Sequence, residues 1–157
     1  IELNPNSSNA YSNLGGILKD LGNLKEAELS IRKAIKLNPN YAFAHLNLGG
    51  ILKDLGNLKE AELSVRKAIE LNPNFADAHI NLGKIFINLG MFQEAEISAR
   101  KAIELNPDSV NAHYELGYIL RILGKFQEAK LCSEKIIFLR SWSISGSYSF
   151  NYDMVLD

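Results

Sequence analysis

The sequence predicts an all-α superhelical solenoid of antiparallel helix hairpins. Three observations carry that expectation. The triplet Leu-Asn-Pro recurs at Leu3-Asn4-Pro5, Leu37-Asn38-Pro39, Leu71-Asn72-Pro73 and Leu105-Asn106-Pro107, 34 residues apart each time. The run "NLGGILKDLGNLKEAELS" occurs twice, letter for letter, from Asn13 and from Asn47. Each interval also holds two stretches of helical apolar spacing divided by a glycine. A fixed period of this length without insertions marks units that cannot bury their apolar faces alone and must stack, about three or more being needed for stability.

Each element follows from local chemistry. The first helix of the first unit is expected from about Asn9 to Leu21. It stops at Gly22, suited to the left-handed position just past a helix end, with Gly56, Gly90 and Gly124 in the same role. The second helix is expected after Asn23, whose side chain can cap it while Glu26 reaches back, as Asn57 and Glu60 would. It ends before Asn38, because the proline that follows disfavours helical geometry there. Glu28 and Arg32, Glu62 and Arg66, and Glu96 and Arg100 stand four apart in the favourable order, which predicts a solvated outer wall.

The period divides the chain into residues 1–7, the tail of a preceding truncated repeat; 8–41, 42–75 and 76–109, three complete repeats; and 110–140, a degenerate fourth. Residues 141–157 abandon the helical period for alternation, with Trp142, Ile144, Tyr148, Phe150 and Tyr152 among serines. They are expected either as an irregular aromatic cap over the last hairpin or as the start of a truncated following domain.

The residues Tyr11-x-x-Leu14-Gly15-x-x-Leu18, then Ala27, Ala34 and Pro39, resemble the tetratricopeptide repeat. The second unit gives His45, Leu48, Gly49, Leu52, Ala61, Ala68 and Pro73, and the third His79, Leu82, Gly83, Phe86, Ala95, Ala102 and Pro107. The fourth keeps His113, Leu116, Gly117, Leu120 and Ala129, but has Ile136 for the small residue and Ser141 for the proline. The resemblance implies a right-handed superhelix whose first helices line a concave face. Gly15, Gly49, Gly83 and Gly117 are then expected where the two helices of a hairpin cross most closely and only a small residue fits. Gly16 and Gly50 answer no such need, since Lys84 and Tyr118 take their place in later units.

Once the recurrent apolar positions are assigned to the core, each first helix keeps a mixed stripe that the resemblance places in the groove. It runs through Phe43, Leu46, Asn47, Gly50, Lys53 and Asp54, then Asp77, Ile80, Asn81, Lys84, Ile87 and Asn88, then Asn111, Tyr114, Glu115, Tyr118, Arg121 and Ile122. The expected peptide-binding residues are Asn13, Asn47, Asn81, Phe43, Leu46, Ile80, Lys53, Lys84, Tyr114 and Tyr118. The alternative for Phe43, Leu46, Ile80 and Tyr114 is packing against neighbouring units or a terminal segment. Side-chain amides both donate and accept, so asparagines at one repeat position suit an extended peptide backbone. Asn13, Asn47 and Asn81 are similar to the asparagine ladder of O-linked N-acetylglucosamine transferases, a similarity that Glu115 ends. Ser12, Gly16 and Asp77 occupy positions where chaperone-binding members carry a basic carboxylate clamp, and they disfavour that subfamily.

Composition narrows the function. A chain of 157 residues, 46% hydrophobic and 22% charged, with formal net charge -1, lacks the basic excess that nucleic acids or anionic membranes require. No apolar run is long enough for a membrane span, and the N-terminus does not read as a signal peptide. The single cysteine, Cys132, leaves no disulfide and fits a reducing, cytoplasmic setting. His45, His79 and His113 sit in successive units, too far apart to converge on a metal, and read as packing residues. No catalytic motif is present, so neither enzymatic activity nor a cofactor is expected. The function expected is a protein–protein interaction scaffold binding an extended peptide or a partner helix on its concave face. The alternatives are the substrate-presenting arm of a glycosyltransferase or other enzyme, and an array that self-associates through its truncated first repeat.

Overall fold

The computed structural model describes residues 7–149, with side chains as far as Trp142. Within them the 34-residue period becomes four hairpins: α1 (Ser8–Asp20) with α2 (Leu24–Leu37), α3 (Ala42–Asp54) with α4 (Leu58–Leu71), α5 (Ala76–Asn88) with α6 (Phe92–Leu105), and α7 (Val110–Ile122) with α8 (Phe126–Ser149). The described residues contain no strand.

One device makes every hairpin turn. Gly22, Gly56, Gly90 and Gly124 take positive φ of 80, 83, 74 and 74°. The next N–H donates to the carbonyl five residues back, Asn23 to Leu18, Asn57 to Leu52, Met91 to Phe86 and Lys125 to Leu120, while the glycine N–H closes a shorter bond. This is the Schellman arrangement, which satisfies carbonyls that a helix end leaves unpaired. It also corrects the capping expectation. Asn23 and Asn57 make no side-chain cap bond. Their backbone is already held by the turn, so Met91 and Lys125 serve equally well at the same place. True side-chain caps occur where Ser7 Oγ accepts from the Ala10 N–H and Ser109 Oγ from the Ala112 N–H, both at 3.2 Å.

Helix packing sets the curvature. Within each hairpin the two helices lie together, and α2, α4 and α6 each pack on the first helix of the next unit. The first helices also touch in succession, α1 on α3, α3 on α5 and α5 on α7, whereas among the described residues the backbones of the second helices stay apart and only long side chains join them. The layer in mutual contact lies on the inside of the bend, so the first helices form the concave side. The core between the layers is built from Ile31, Ile51, Leu52, Val65, Ile85, Ile119 and Leu120, with alanines at Ala27, Ala61 and Ala95 where the layers come close.

The inner glycines differ more than the sequence suggests. A Cβ at Gly15 would overlap Ile31, and one at Gly49 would overlap Val65, but one at Gly83 would stand 3.5 Å from the Ala95 carbonyl and 3.7 Å from Ser98 Cβ, an ordinary contact. The small-residue requirement thus holds in the first two units and lapses in the third, where Ala99 replaces the branched partner. Gly16 faces open space, and Gly50 meets only the Lys19 ammonium, at 3.3 Å. Gly16→Ala is therefore expected to stabilise the array by up to about 1 kcal/mol through helix propensity, read as a higher denaturant midpoint.

Ion pairs bind the outer layer. Arg32 reaches Glu28 at 2.8 Å and, across the unit boundary, Glu60 at 2.5 Å. Between the third and fourth units Arg100 joins Glu96 at 2.8 Å to Glu128 at 2.5 Å, and Lys125 closes on Glu96 at 2.8 Å. The Lys125 ammonium, opposed by burial and reinforced by Arg100, holds the Glu96 carboxyl below its ordinary pKa. A folded-state pKa below the unfolded one contributes stability that is complete above the ordinary glutamate value and disappears as pH falls through the folded value. Denaturant midpoints should accordingly fall less on acidification for Glu96→Gln than for the parent chain.

At the far end the expected break at Arg140 does not occur, and α8 runs on to Ser149. The serine-rich segment carries neither a proline nor a capping turn that would stop it, so its alternating pattern is overridden by continuation of the helix. Trp142 is exposed on α8. Phe150 and Tyr152 of the expected cap lie outside the described residues, as do residues 1–6 of the expected preceding repeat.

Candidate functional site

The concave face is built by one repeat position after another on α1, α3, α5 and α7. Asn13 is exposed there, and Asn47 and Asn81 are half-buried. The Asn47 amide donates to the buried Ser12 hydroxyl at 3.3 Å, leaving its carbonyl free to accept. Leu46 takes the place of Ser12 one unit on, so Asn81 has no such donor or acceptor beside it. Glu115, which continues the row, is held by Lys84 at 3.3 Å. Lys53 pairs with Asp54, and Lys19 joins the same carboxylate at 3.5 Å. Lys19, Lys53, Asp54, Lys84 and Glu115 are thus paired along the array, while the amides of Asn13 and Asn81 and the charges of Asp77 and Arg121 have no partner among the described residues.

Two of the expected lining residues are not on it. Leu46 is 7% exposed and Ile80 6%, the latter packed with Ala102 and Ala112 under the following hairpin. This is the packing alternative, and its cause is the next unit, which lies over that position. Tyr114 occupies the same position in the fourth unit and is 62% exposed, with Tyr118 half-exposed one turn on. Phe43 is half-exposed at the start of α3, its ring 4.7 Å from Phe75 and 6.3 Å from Tyr41. The residues gathered on the concave face are Asn13, Asn47, Asn81, Lys53 and Lys84, with Phe43 at one edge and the two tyrosines at the far end.

The histidines tie loops to helices. Nε2 of His45 and of His113 each lies 2.8 Å from a proline carbonyl six residues back, Pro39 and Pro107. His79 faces the equivalent Pro73 carbonyl without closing a full bond, and burial, reinforced by Lys101, pushes its pKa down against that contact. Among the described residues no group of histidine, cysteine and carboxylate side chains has the geometry of a metal site. Cys132 is buried against Gly117, and burial raises the pKa of its thiol.

One feature escaped the sequence reading. Leu29, Leu63, Ile97 and Leu131 recur at one repeat position on the outer helices, and all are exposed. Their signal was the 34-residue recurrence of a large aliphatic, one place after Glu28, Glu62 and Glu96 and after Lys130 in the fourth unit, on a face that the ion pairs made read as wholly polar.

A curved array of helical hairpins with an amide-bearing inner face defines a helical-repeat scaffold for protein contacts. The family model of the tetratricopeptide repeat matches residues 8–41 and 76–109, and further models of the same repeat match 31–62, 99–130 and 50–90. The chain belongs to the tetratricopeptide repeat family. No curated protein matches it. Among solved structures it is similar to a crystal structure of MamA, at 25% identity and TM-score 0.79 over 90% of this chain and 83% of that one. A second MamA crystal structure gives 25% identity and TM-score 0.75 over 90% and 77%. MamA 41-end from Desulfovibrio magneticus RS-1, at 23% identity and TM-score 0.76 over 87% and 77%, shares the fold. Folds of this class are typically scaffolds rather than enzymes, and no helix among the described residues is long and apolar enough to cross a membrane.

Proposed function

We propose that the chain is a protein–protein interaction scaffold whose concave face binds an extended peptide segment of a partner protein, in the cytoplasm and without a cofactor. The observation that carries this reading is the row Asn13, Asn47 and Asn81 on the inner helices, in which Asn13 and Asn81 have no partner among the described residues. Unpaired amides in register can bond a peptide main chain whatever its side chains, with Phe43, Tyr114 and Tyr118 offering apolar surface beside them.

The test uses a peptide selected from a random display library on the intact chain. Replacing Asn81 with alanine should weaken its binding by about 0.5–1.5 kcal/mol, the net worth of one hydrogen bond, with Asn47→Ala adding a similar amount. The melting temperature should barely move for Asn81→Ala, whereas Asn47→Ala also removes the bond to Ser12. Unchanged affinity in the double variant would remove the row from the mechanism.

A second reading is self-association of the array through the first repeat. Light scattering over a concentration series separates it from a monomeric binder, and a constant mass would exclude it.

A further inference from the structure

The outer face offers a second surface, independent of the concave one. Leu29, Leu63, Ile97 and Leu131 are between 64% and 69% exposed at one repeat position. A single exposed leucine is ordinary, but four in register form a patch. Because the outer helices splay apart, the floor between them is open. Between α2 and α4 lies a groove of about 510 Å³ whose apolar walls are Ile35, Leu48 and Leu63. One unit on, between α4 and α6, a groove of about 340 Å³ is walled by Leu82, Phe86 and Ile97.

Charge selects the occupant. The first groove is rimmed by Arg32, Lys36 and Lys67 against the single carboxylate of Glu60, which Arg32 already holds at 2.5 Å. Lys36 has no partner among the described residues, and Lys67 is engaged only by Glu70 in an exposed pair at 2.8 Å. The second has Arg66 and Lys101 against Glu94, with Arg66 held by Glu62 at 2.9 Å and Lys101 in an exposed pair with Glu104 at 2.7 Å. Exposed pairs of this kind hold their partners weakly, so a ligand carboxylate can exchange into them. The first groove therefore combines an apolar cleft with the unpaired Lys36 ammonium and the loosely held Lys67, and the second combines one with the loosely held Lys101.

We propose that these two grooves dock an acidic amphipathic helix of a protein partner, lying across the outer helices with one large apolar side chain in each. The ion pair of Arg32 on α2 with Glu60 on α4 keeps successive outer helices within reach of two long side chains, on the order of 10 Å apart. Residues seven apart on a helix are separated by about 10.5 Å, which lets one face of the ligand reach both clefts while its flanking carboxylates meet Lys36, Lys67 and Lys101.

The experiment titrates the whole chain against a fluorescein-labelled synthetic helix with leucines along one face and glutamates on the rest, and against its twin with lysine for every glutamate. Fluorescence anisotropy should show the glutamate probe binding at least tenfold more tightly than the twin, with the difference shrinking as salt rises. Leu63→Ser together with Ile97→Ser should cost at least tenfold in affinity with no change in melting temperature, while Asn81→Ala should leave binding unchanged. Equal binding of the two probes, no saturable binding of the glutamate probe, or retained binding in the Leu63 and Ile97 double variant would overturn the proposal. Loss of binding with Asn81→Ala would place the probe on the concave face and overturn it as well, without touching the reading of that face.

Discussion

Ile80→Ala is expected to lower the stability of the array by about 2–5 kcal/mol, the range for truncating a large buried aliphatic. Tyr114→Ala, at the same repeat position one unit later, is expected to change it by less than about 0.5 kcal/mol, as surface substitutions do. The side chains are equivalent in the repeat and differ in what lies over them. Ile80 packs with Ala102 and Ala112 beneath the fourth hairpin, while Tyr114 remains largely exposed. A methyl in place of Ile80 leaves a cavity that the small alanines around it cannot collapse to fill. Denaturant unfolding followed by circular dichroism gives both values. A small loss for Ile80→Ala would return this residue to the binding face, where its truncation would weaken a ligand instead.

The same contrast shows what was legible in the sequence. Helix order and hairpin turns follow from local signals repeated every 34 residues, the concave layer was expected from the family resemblance alone, and the positive φ of Gly22, Gly56, Gly90 and Gly124 falls where a helix-ending glycine was expected. The burial of Leu46 and Ile80 was not legible, because a stripe drawn on one helix says nothing about how far the next unit overhangs it. Asn23 and Asn57 read as side-chain caps, yet the Schellman turn already holds their backbone, a competition visible only once the turn is built. The amide row was legible as a recurrence of asparagine, but the bond from Asn47 to Ser12 depends on how closely α1 and α3 approach. The outer grooves arise from the splay of the second helices, a property of the stack rather than of any unit. The continuation of α8 past Arg140 went unread because alternation in a short segment competes poorly with an established helix lacking a stop signal.

Gly49→Ala is expected to destabilise the array and Gly83→Ala to leave it equal or more stable, although the two glycines hold one repeat position. At Gly49 a new Cβ would overlap Val65 Cγ2 and stand 3.1 Å from the Ala61 carbonyl. Valine is stiff at χ1 and cannot swing its methyl aside, so the backbones of α3 and α4 must part. Overpacking of this kind costs about 1–3 kcal/mol, which outweighs the gain of up to about 1 kcal/mol that alanine brings to a helix. Opposite Gly83 the branched residue is replaced by Ala99, the nearest heavy atom is the Ala95 carbonyl oxygen at 3.5 Å, and only the propensity gain remains. The cause can be isolated with Val65→Ala. That substitution alone creates a cavity and destabilises, but combined with Gly49→Ala it removes the clash, so the pair should be more stable than the sum of the single effects predicts. Denaturant midpoints of the four chains in that cycle decide the matter. Strict additivity would mean that the crossing of α3 and α4 does not depend on contact between Gly49 and Val65, and equal shifts for Gly49→Ala and Gly83→Ala would mean that the branched partner does not set which glycines the repeat must keep.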